Sequence, residues 1–165
     1  MIKQFRSLSP INIVLLTVIA IILRLGVLIQ LPEKLTFDFL EPFSRFLLAI
    51  PLQEAFSPFA NVFFALMITL IQAFIFNKIV NHYNLVGKPT FLPALLFVTL
   101  SSLFPSFVLL SPTLVCNFLV LWMIEKFLSV YRRDEVRSVM FDLGMMVGLG
   151  TLIYFPFIAM LPLLW

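Results

Sequence analysis

The chain has 165 residues, of which 62% are hydrophobic and 12% are charged, and its mean hydropathy is +1.11. A soluble domain carries about 25% charged residues, so this composition excludes an ordinary soluble domain and indicates a chain that lies mostly in lipid. The net charge of +3 does not indicate a nucleic-acid-binding protein, because the basic residues lie at the ends of apolar runs, where they act as topology signals.

The apolar runs predict an all-α fold: a polytopic transmembrane helix bundle of about five spans, in a single domain covering 1–165. The predicted spans are Ile11–Ile29, Pro58–Phe76, Thr90–Phe104, Thr113–Ser129 and Leu143–Trp165. Pro156 and Pro162 are expected to kink the last run or to split a re-entrant piece from it. The end of that run at Trp165 is typical either of a terminal interfacial tryptophan or of the N-terminal part of a longer membrane protein.

The first span carries one charge, Arg24, near its far end. A long basic side chain there is expected to extend to the headgroups. The alternative is that Arg24 faces a lipid phosphate or an acid of the following loop. In the second span, Asn61 and Gln72 are expected to form hydrogen bonds to neighbouring helices.

The loop Gln30–Ser57 holds half of the acids of the chain. Within it, Pro42–Ile50 predicts a short interfacial helix, because proline suits the first turn of a helix and the apolar residues recur at helical spacing. Glu41 and Arg45 are four residues apart and can form a weak ion pair.

Positive charges predict the topology. With five spans and a cytoplasmic N-terminus, eight Lys and Arg residues lie inside and three lie outside. This distribution fits the positive-inside rule, so we expect a multi-pass protein of the cell inner membrane with the loop Gln30–Ser57 on the outer face.

No glycine-rich phosphate loop, cysteine–histidine cluster or Ser-His-acid set is present, so the sequence predicts no cofactor and no bound metal of these kinds. Asp38 and Glu41 are three residues apart and are the candidate catalytic groups. A carboxylate at the membrane surface can act as a general base, and the pair can alternatively hold a divalent cation that bridges to a lipid phosphate. The plain alternative is that both face water and stabilise a helix start.

Gly144 and Gly148 form a small-xxx-small pattern on the last span, which lets another helix approach closely. The pattern makes these two glycines the candidate packing residues for a membrane protein partner.

The order of these elements resembles the glycosyltransferase-C superfamily of membrane transferases that use polyprenyl-phosphate-linked sugars. The resemblance rests on the acid-bearing loop, on Pro51-Leu52 before the second span, on Ser101-Ser102-Leu103-Phe104-Pro105 and on the run from Met146 to Leu152. The chain also looks like an uncharacterised polytopic membrane family of Bacteroidetes bacteria.

The resemblance to the superfamily implies that Asp38, with Glu41 second, is the catalytic base or a metal ligand, and that Arg24 or Arg45 holds the lipid phosphate. The partners it implies are membrane lipid and a polyprenyl-phosphate-linked sugar. The sequence departs from the family pattern, because Phe39 follows Asp38 where a second acid is usual, and the turn Leu103–Pro112 carries no charge.

Three functions therefore stay open: a transferase of glycosyltransferase-C type, a non-catalytic membrane subunit or scaffold of an envelope complex, and, with less support, a transporter. A coupled transporter usually needs ionisable groups near mid-membrane, and the second to fourth predicted spans carry none there.

Overall fold

The computed structural model describes residues 4–6, 9–29, 43, 57–130 and 136–164. Every element within these residues is helical. In chain order they are the 3₁₀ turn Gln4–Arg6, α1 (Ile11–Ile29), α2 (Pro58–His82), α3 (Leu92–Ser101), α4 (Pro105–Val108), α5 (Pro112–Val130), α6 (Arg137–Ile153) and the 3₁₀ helix Phe155–Leu164.

Three of these helices are long and apolar enough to cross a bilayer: α1 with 19 residues, α2 with 25 and α5 with 19. At 1.5 Å per residue they are about 28, 38 and 28 Å long, which matches a hydrocarbon core of about 30 Å. The other two predicted spans contain shorter helices, α3 with 10 residues and α6 with 17. The described part of the chain is therefore an all-helical structure with three candidate membrane spans.

The local sequence sets the limits of α2. Ser57 accepts a hydrogen bond from the Ala60 backbone N–H at 3.3 Å, and proline occupies the first turn, where its missing N–H is not needed. After His82 the chain reverses through Asn84 and Gly87, both of which have positive φ. Helix α3 then packs against α2.

Two apolar clusters hold the helices together. The first joins α1, α2 and α3, with Leu16, Ala20, Leu70, Ala73, Ala94 and Val98 at its centre. The second joins α5, α6 and the C-terminal 3₁₀ helix, with Cys116, Met123, Leu143, Met146, Val147 and Phe157 at its centre. Alanine at three of the eight buried positions of the first cluster permits the close helix approach that membrane helices use.

The structure differs from the sequence-based limits in two places. Helix α2 continues beyond the predicted end of the second span at Phe76 and ends at His82, because Asn77 and Lys78 do not break a helix. The last apolar run is not one span: α6 ends at Ile153, and the segment Phe155–Leu164 is a 3₁₀ helix packed against α6. Of the predicted interfacial helix Pro42–Ile50, only Phe43 lies within the described residues.

Candidate functional site

The side chain of Arg24 lies inside the bundle. Helix α1 buries Asn12, Leu16, Ala20 and Arg24, four residues apart each time, so these side chains share one face of the helix. Arg24 is 1% exposed, although its neighbour Leu23 is 43% exposed. The side chain therefore does not extend outward from the helix. This differs from the expectation that Arg24 extends to the headgroups.

One terminal nitrogen of Arg24 binds α2 and α4. Its Nη2 donates to the Thr69 hydroxyl at 2.7 Å and to the Phe107 carbonyl at 3.0 Å, with a longer contact of 3.5 Å to the Ala65 carbonyl. Thr69 in turn donates to the Ala65 carbonyl at 2.8 Å, which leaves its oxygen lone pairs to accept from the guanidinium.

This contact places the positive charge deep in the structure. Thr69 is the twelfth of the 25 residues of α2, so it lies about 16 to 20 Å from either end of that helix. An arginine side chain in a helix is directed back towards the N-terminus of the helix, which carries the guanidinium of Arg24 away from the near end of α1 at Ile29.

Most of the donor capacity of Arg24 is unused. A guanidinium has five N–H groups, and Nη2 supplies two of them. Nε and Nη1, which carry the other three, are buried and have no hydrogen-bond partner in the part of the chain that the structure describes. The single ion pair found in the same residues is Lys126–Asp142, at 3.0 Å, and does not involve Arg24. Burying a cation that has no counter-charge among the described residues is costly, and Nε and Nη1 are the atoms that keep the capacity to bind a further acceptor.

A row of four buried residues on α2, three of them polar, positions the partners of Arg24. Asn61, Ala65, Thr69 and Gln72 recur at spacings of four, four and three, and all are buried. The Asn61 Oδ1 accepts from the Leu110 backbone N–H at 2.9 Å, in the segment that joins α4 to α5.

Gln72 is the last residue of this row towards the C-terminus of α2. Its Nε2 donates to the Leu114 carbonyl at 2.7 Å, and its Oε1 accepts from the Asn117 Nδ2 at 3.0 Å. The expectation of hydrogen bonds to neighbouring helices is confirmed for Gln72, whereas Asn61 bonds to the segment between α4 and α5 instead. Together the row holds α4 and the start of α5 against α2, which presents the Phe107 carbonyl to Arg24.

Replacement of Asn61 by Leu is expected to destabilise this arrangement. Leu110 lies in the segment between α4 and α5, so no carbonyl of its own helix can replace the Asn61 acceptor. Leaving this N–H without an acceptor typically costs about 1–3 kcal/mol. Thermal unfolding in detergent micelles checks this: a Leu variant as stable as the wild type would show that the Leu110 N–H finds another acceptor.

Of the other predicted site residues, the structure describes only the two glycines of α6. Asp38, Glu41 and Arg45 are outside the described residues, so their roles stay predictions. Gly144 and Gly148 lie on α6, and a Cβ added at either would meet no described atom within 4 Å. Neither glycine therefore packs against another described element of this chain, and their predicted role towards a partner protein stays a prediction.

The sequence reasoning missed Thr69, the Phe107 carbonyl and Gly150. A Cβ at Gly150 would lie 2.3 Å from the Phe157 ring, so Gly150 is where α6 meets the C-terminal 3₁₀ helix. The polar residues Asn61, Thr69 and Gln72, which are eight and three residues apart and so share one helix face, were available as a signal for a polar face on α2. No cluster of three or more potential metal ligands occurs in the described ranges.

Comparison with protein-family models, with curated proteins and with solved structures finds no match to this chain. The class of protein therefore rests on its own structure. The apolar helices α1, α2 and α5 indicate a membrane-embedded helical protein, and the side chain of Arg24 is buried where α1 contacts α2 and α4.

Proposed function

We propose that this protein binds the anionic head group of a phosphate-bearing lipid at Arg24, as a membrane transferase that uses a polyprenyl-phosphate-linked sugar would. The observation that carries the proposal is the burial of Arg24 together with the unpartnered Nε and Nη1 atoms. An ionisable side chain within a membrane span is costly, and such residues usually face a substrate or a paired charge.

Phosphate suits these free donors better than a neutral ligand does. Arginine recognises phosphate through charge-assisted hydrogen bonds, which are about twice as strong as neutral ones. A phosphate oxygen would also supply the counter-charge that the described residues around Arg24 lack. Thr69 and the Phe107 carbonyl hold Nη2 in place, so the guanidinium is fixed before the ligand arrives.

The protein would have about five spans, a cytoplasmic N-terminus and an outer loop with Asp38, Glu41 and Arg45, in a cell inner membrane. The Asp38 carboxylate would take the proton of an acceptor hydroxyl, whose oxygen then bonds to the anomeric carbon of the sugar. The bond from that carbon to the phosphate oxygen breaks, and the lipid phosphate leaves with its negative charge near Arg24 or Arg45.

The binding test uses the full chain in phosphatidylcholine nanodiscs, with farnesyl phosphate as the ligand and farnesol as the uncharged comparison. Wild type is expected to bind the phosphate more tightly than the alcohol. Arg24→Gln should lose about 30-fold or more in phosphate affinity, because removing one partner of a desolvated charge pair costs 2 kcal/mol or more. Arg137→Gln, at an exposed arginine of α6, is the matched control.

Equal affinity of wild type and Arg24→Gln for farnesyl phosphate would refute binding at Arg24. The transfer step is tested separately with Asp38→Asn and Glu41→Gln. Both variants should bind the lipid phosphate, and Asp38→Asn should lose sugar transfer. Transfer that survives in both variants would remove the carboxylates from the proposal and leave the binding intact.

The open face of α6 favours a second function, a non-catalytic subunit or scaffold of an envelope complex. Gly144 and Gly148 meet no described atom, and Met145 and Leu149 beside them are 56% and 49% exposed. A partner helix can approach such a face closely. The Gly144→Leu, Gly148→Leu double variant should fold as stably as the wild type but lose a co-purifying membrane partner. If the double variant retains every partner, the Gly144–Gly148 face of α6 does not bind a partner protein.

A further inference from the structure

A cavity of about 380 Å³ lies between α4, α5 and the C-terminal 3₁₀ helix. This volume falls in the range of small-molecule sites, roughly 300–1,000 Å³. The side chains of Val120, Phe157 and Met160 contribute apolar walls. Phe107 also lines the cavity, and its backbone carbonyl is the group that accepts from Arg24.

Among the polar residues that line the cavity, Asn117 and Tyr154 have unused hydrogen-bonding capacity. Asn117 donates through Nδ2 to Gln72, which fixes the amide and leaves Oδ1 as an acceptor with no partner among the described residues. The Tyr154 hydroxyl likewise has no partner there, while its backbone N–H is held by the Gly150 carbonyl at 2.8 Å. Asn117 thus offers an acceptor and Tyr154 offers both a donor and an acceptor.

None of the described residues that line the cavity is charged. A phosphate or ammonium group would be desolvated there without a counter-charge, whereas a hydroxyl group, which both donates and accepts, matches the two free groups. The apolar walls match a hydrocarbon chain, which is abundant around a membrane-embedded protein.

We propose that this cavity is a second binding site, distinct from Arg24, for an uncharged long-chain alcohol. The hydroxyl would donate to the Asn117 Oδ1 and accept from the Tyr154 hydroxyl. The chain would lie along Val120, Phe157 and Met160. The inference does not depend on the lipid-phosphate proposal, since it uses neither Arg24 nor a charge.

The protein carries its own reporter for this site. Cys116 is the only cysteine of the chain and is one of the residues that line the cavity. The experiment measures the rate of Cys116 alkylation by N-ethylmaleimide in nanodiscs, with 1-dodecanol, dodecane or dodecyl phosphate added at equal mole fractions. The three probes share one chain and differ only in the polar end.

Dodecanol is expected to slow alkylation by about fivefold or more relative to dodecane, as one or two hydrogen bonds imply. Tyr154→Phe removes one hydroxyl from the cavity and should abolish most of that difference. The control is Tyr83→Phe, because the Tyr83 hydroxyl is bonded to the Glu125 carbonyl, outside this cavity.

Several results would overturn the inference. Equal protection by dodecane and dodecanol would show an apolar void without a hydroxyl site. Stronger protection by dodecyl phosphate would show that the cavity is part of the proposed lipid-phosphate site at Arg24 and not a separate alcohol site. A Cys116 that reacts only after unfolding would show that the cavity does not admit a molecule of the size of the reagent. Failure of farnesyl phosphate to bind at Arg24 would leave the dodecanol result unaffected.

Discussion

Arg24→Met should leave the ligand-free protein at least as stable as the wild type, and should remove the stabilisation that a lipid phosphate gives. This combination separates a buried charge that serves binding from one that serves folding. A functional group in a costly environment typically lowers stability, so its removal is neutral or favourable until the ligand is present.

The expected change in the free energy of unfolding follows from the interactions that Arg24→Met removes. The wild type buries a cation with three N–H groups that have no partner among the described residues, and such a charge costs several kcal/mol. The variant would leave the Phe107 carbonyl without its 3.0 Å donor, at a cost of about 1–3 kcal/mol. Thr69 and Ala65 would keep the hydrogen bond between them. The gain from removing the charge therefore equals or exceeds the loss.

The measurement is thermal unfolding in nanodiscs with and without farnesyl phosphate. At a ligand concentration of 100 times Kd, the wild type should gain about 2.7 kcal/mol, or roughly 5–10 °C in Tm for a chain of this length. With an affinity at least about 30-fold lower, the variant should gain less than about 1 kcal/mol. Arg137→Met, at an exposed site, should respond to the ligand as the wild type does.

A loss of more than about 3 kcal/mol in ligand-free Arg24→Met would contradict the binding proposal. Such a loss is what the removal of one member of a buried ion pair produces. It would indicate that an acid of the loop Gln30–Ser57 already neutralises Arg24, and the guanidinium would then serve as a structural element.

The sequence predicted α1 fully and α2 only in part, for one physical reason. Hydropathy reports which residues prefer lipid, not which residues are helical. The ends of the apolar run and the ends of the helix coincide for α1, Ile11–Ile29, because polar residues flank its apolar run. They differ for α2, because its helix continues for six residues beyond Phe76 through Asn77 and Lys78.

The direction of Arg24 could not be read from hydropathy. A basic residue near the end of a span is usually directed to the headgroups, so position alone favoured the outward arrangement. The inward arrangement depends on Thr69 and on the Phe107 carbonyl, which are 45 and 83 residues away in the chain. The repeat of Asn12, Leu16, Ala20 and Arg24 was the local signal that position 24 lies on the buried face.

The small-xxx-small pattern of α6 does not include the glycine that packs against another element within the chain. Gly144 and Gly148 satisfy the small-xxx-small spacing, yet the close approach is at Gly150. That approach depends on the chain leaving α6 at Tyr154 and returning with Phe157, a reversal that no spacing rule encodes. The pattern shows where a helix can approach, and only the fold shows where one does.

Gly150→Ala should destabilise the protein, whereas Gly148→Ala should stabilise it slightly. An added Cβ at Gly150 would lie 2.3, 2.5 and 2.7 Å from three atoms of the Phe157 ring, so the ring and the 3₁₀ helix behind it must move. Overpacking of this kind typically costs about 1–3 kcal/mol. At Gly148 the Cβ meets no described atom, and the better helix propensity of alanine adds up to about 1 kcal/mol.

The opposite signs at two glycines of one helix isolate the contact with Phe157, because backbone effects act on both variants alike. Unfolding in SDS, followed by circular dichroism, gives the two stability changes. Phe157→Ala, which removes the ring, should abolish the penalty, so Gly150→Ala should be stabilising in that background, with a coupling energy above about 1 kcal/mol. If Gly150→Ala instead stabilises the protein with the ring present, the C-terminal 3₁₀ helix does not pack on α6. The cavity that Phe157 and Met160 wall would then lose one side, and the proposed alcohol site would fail with it.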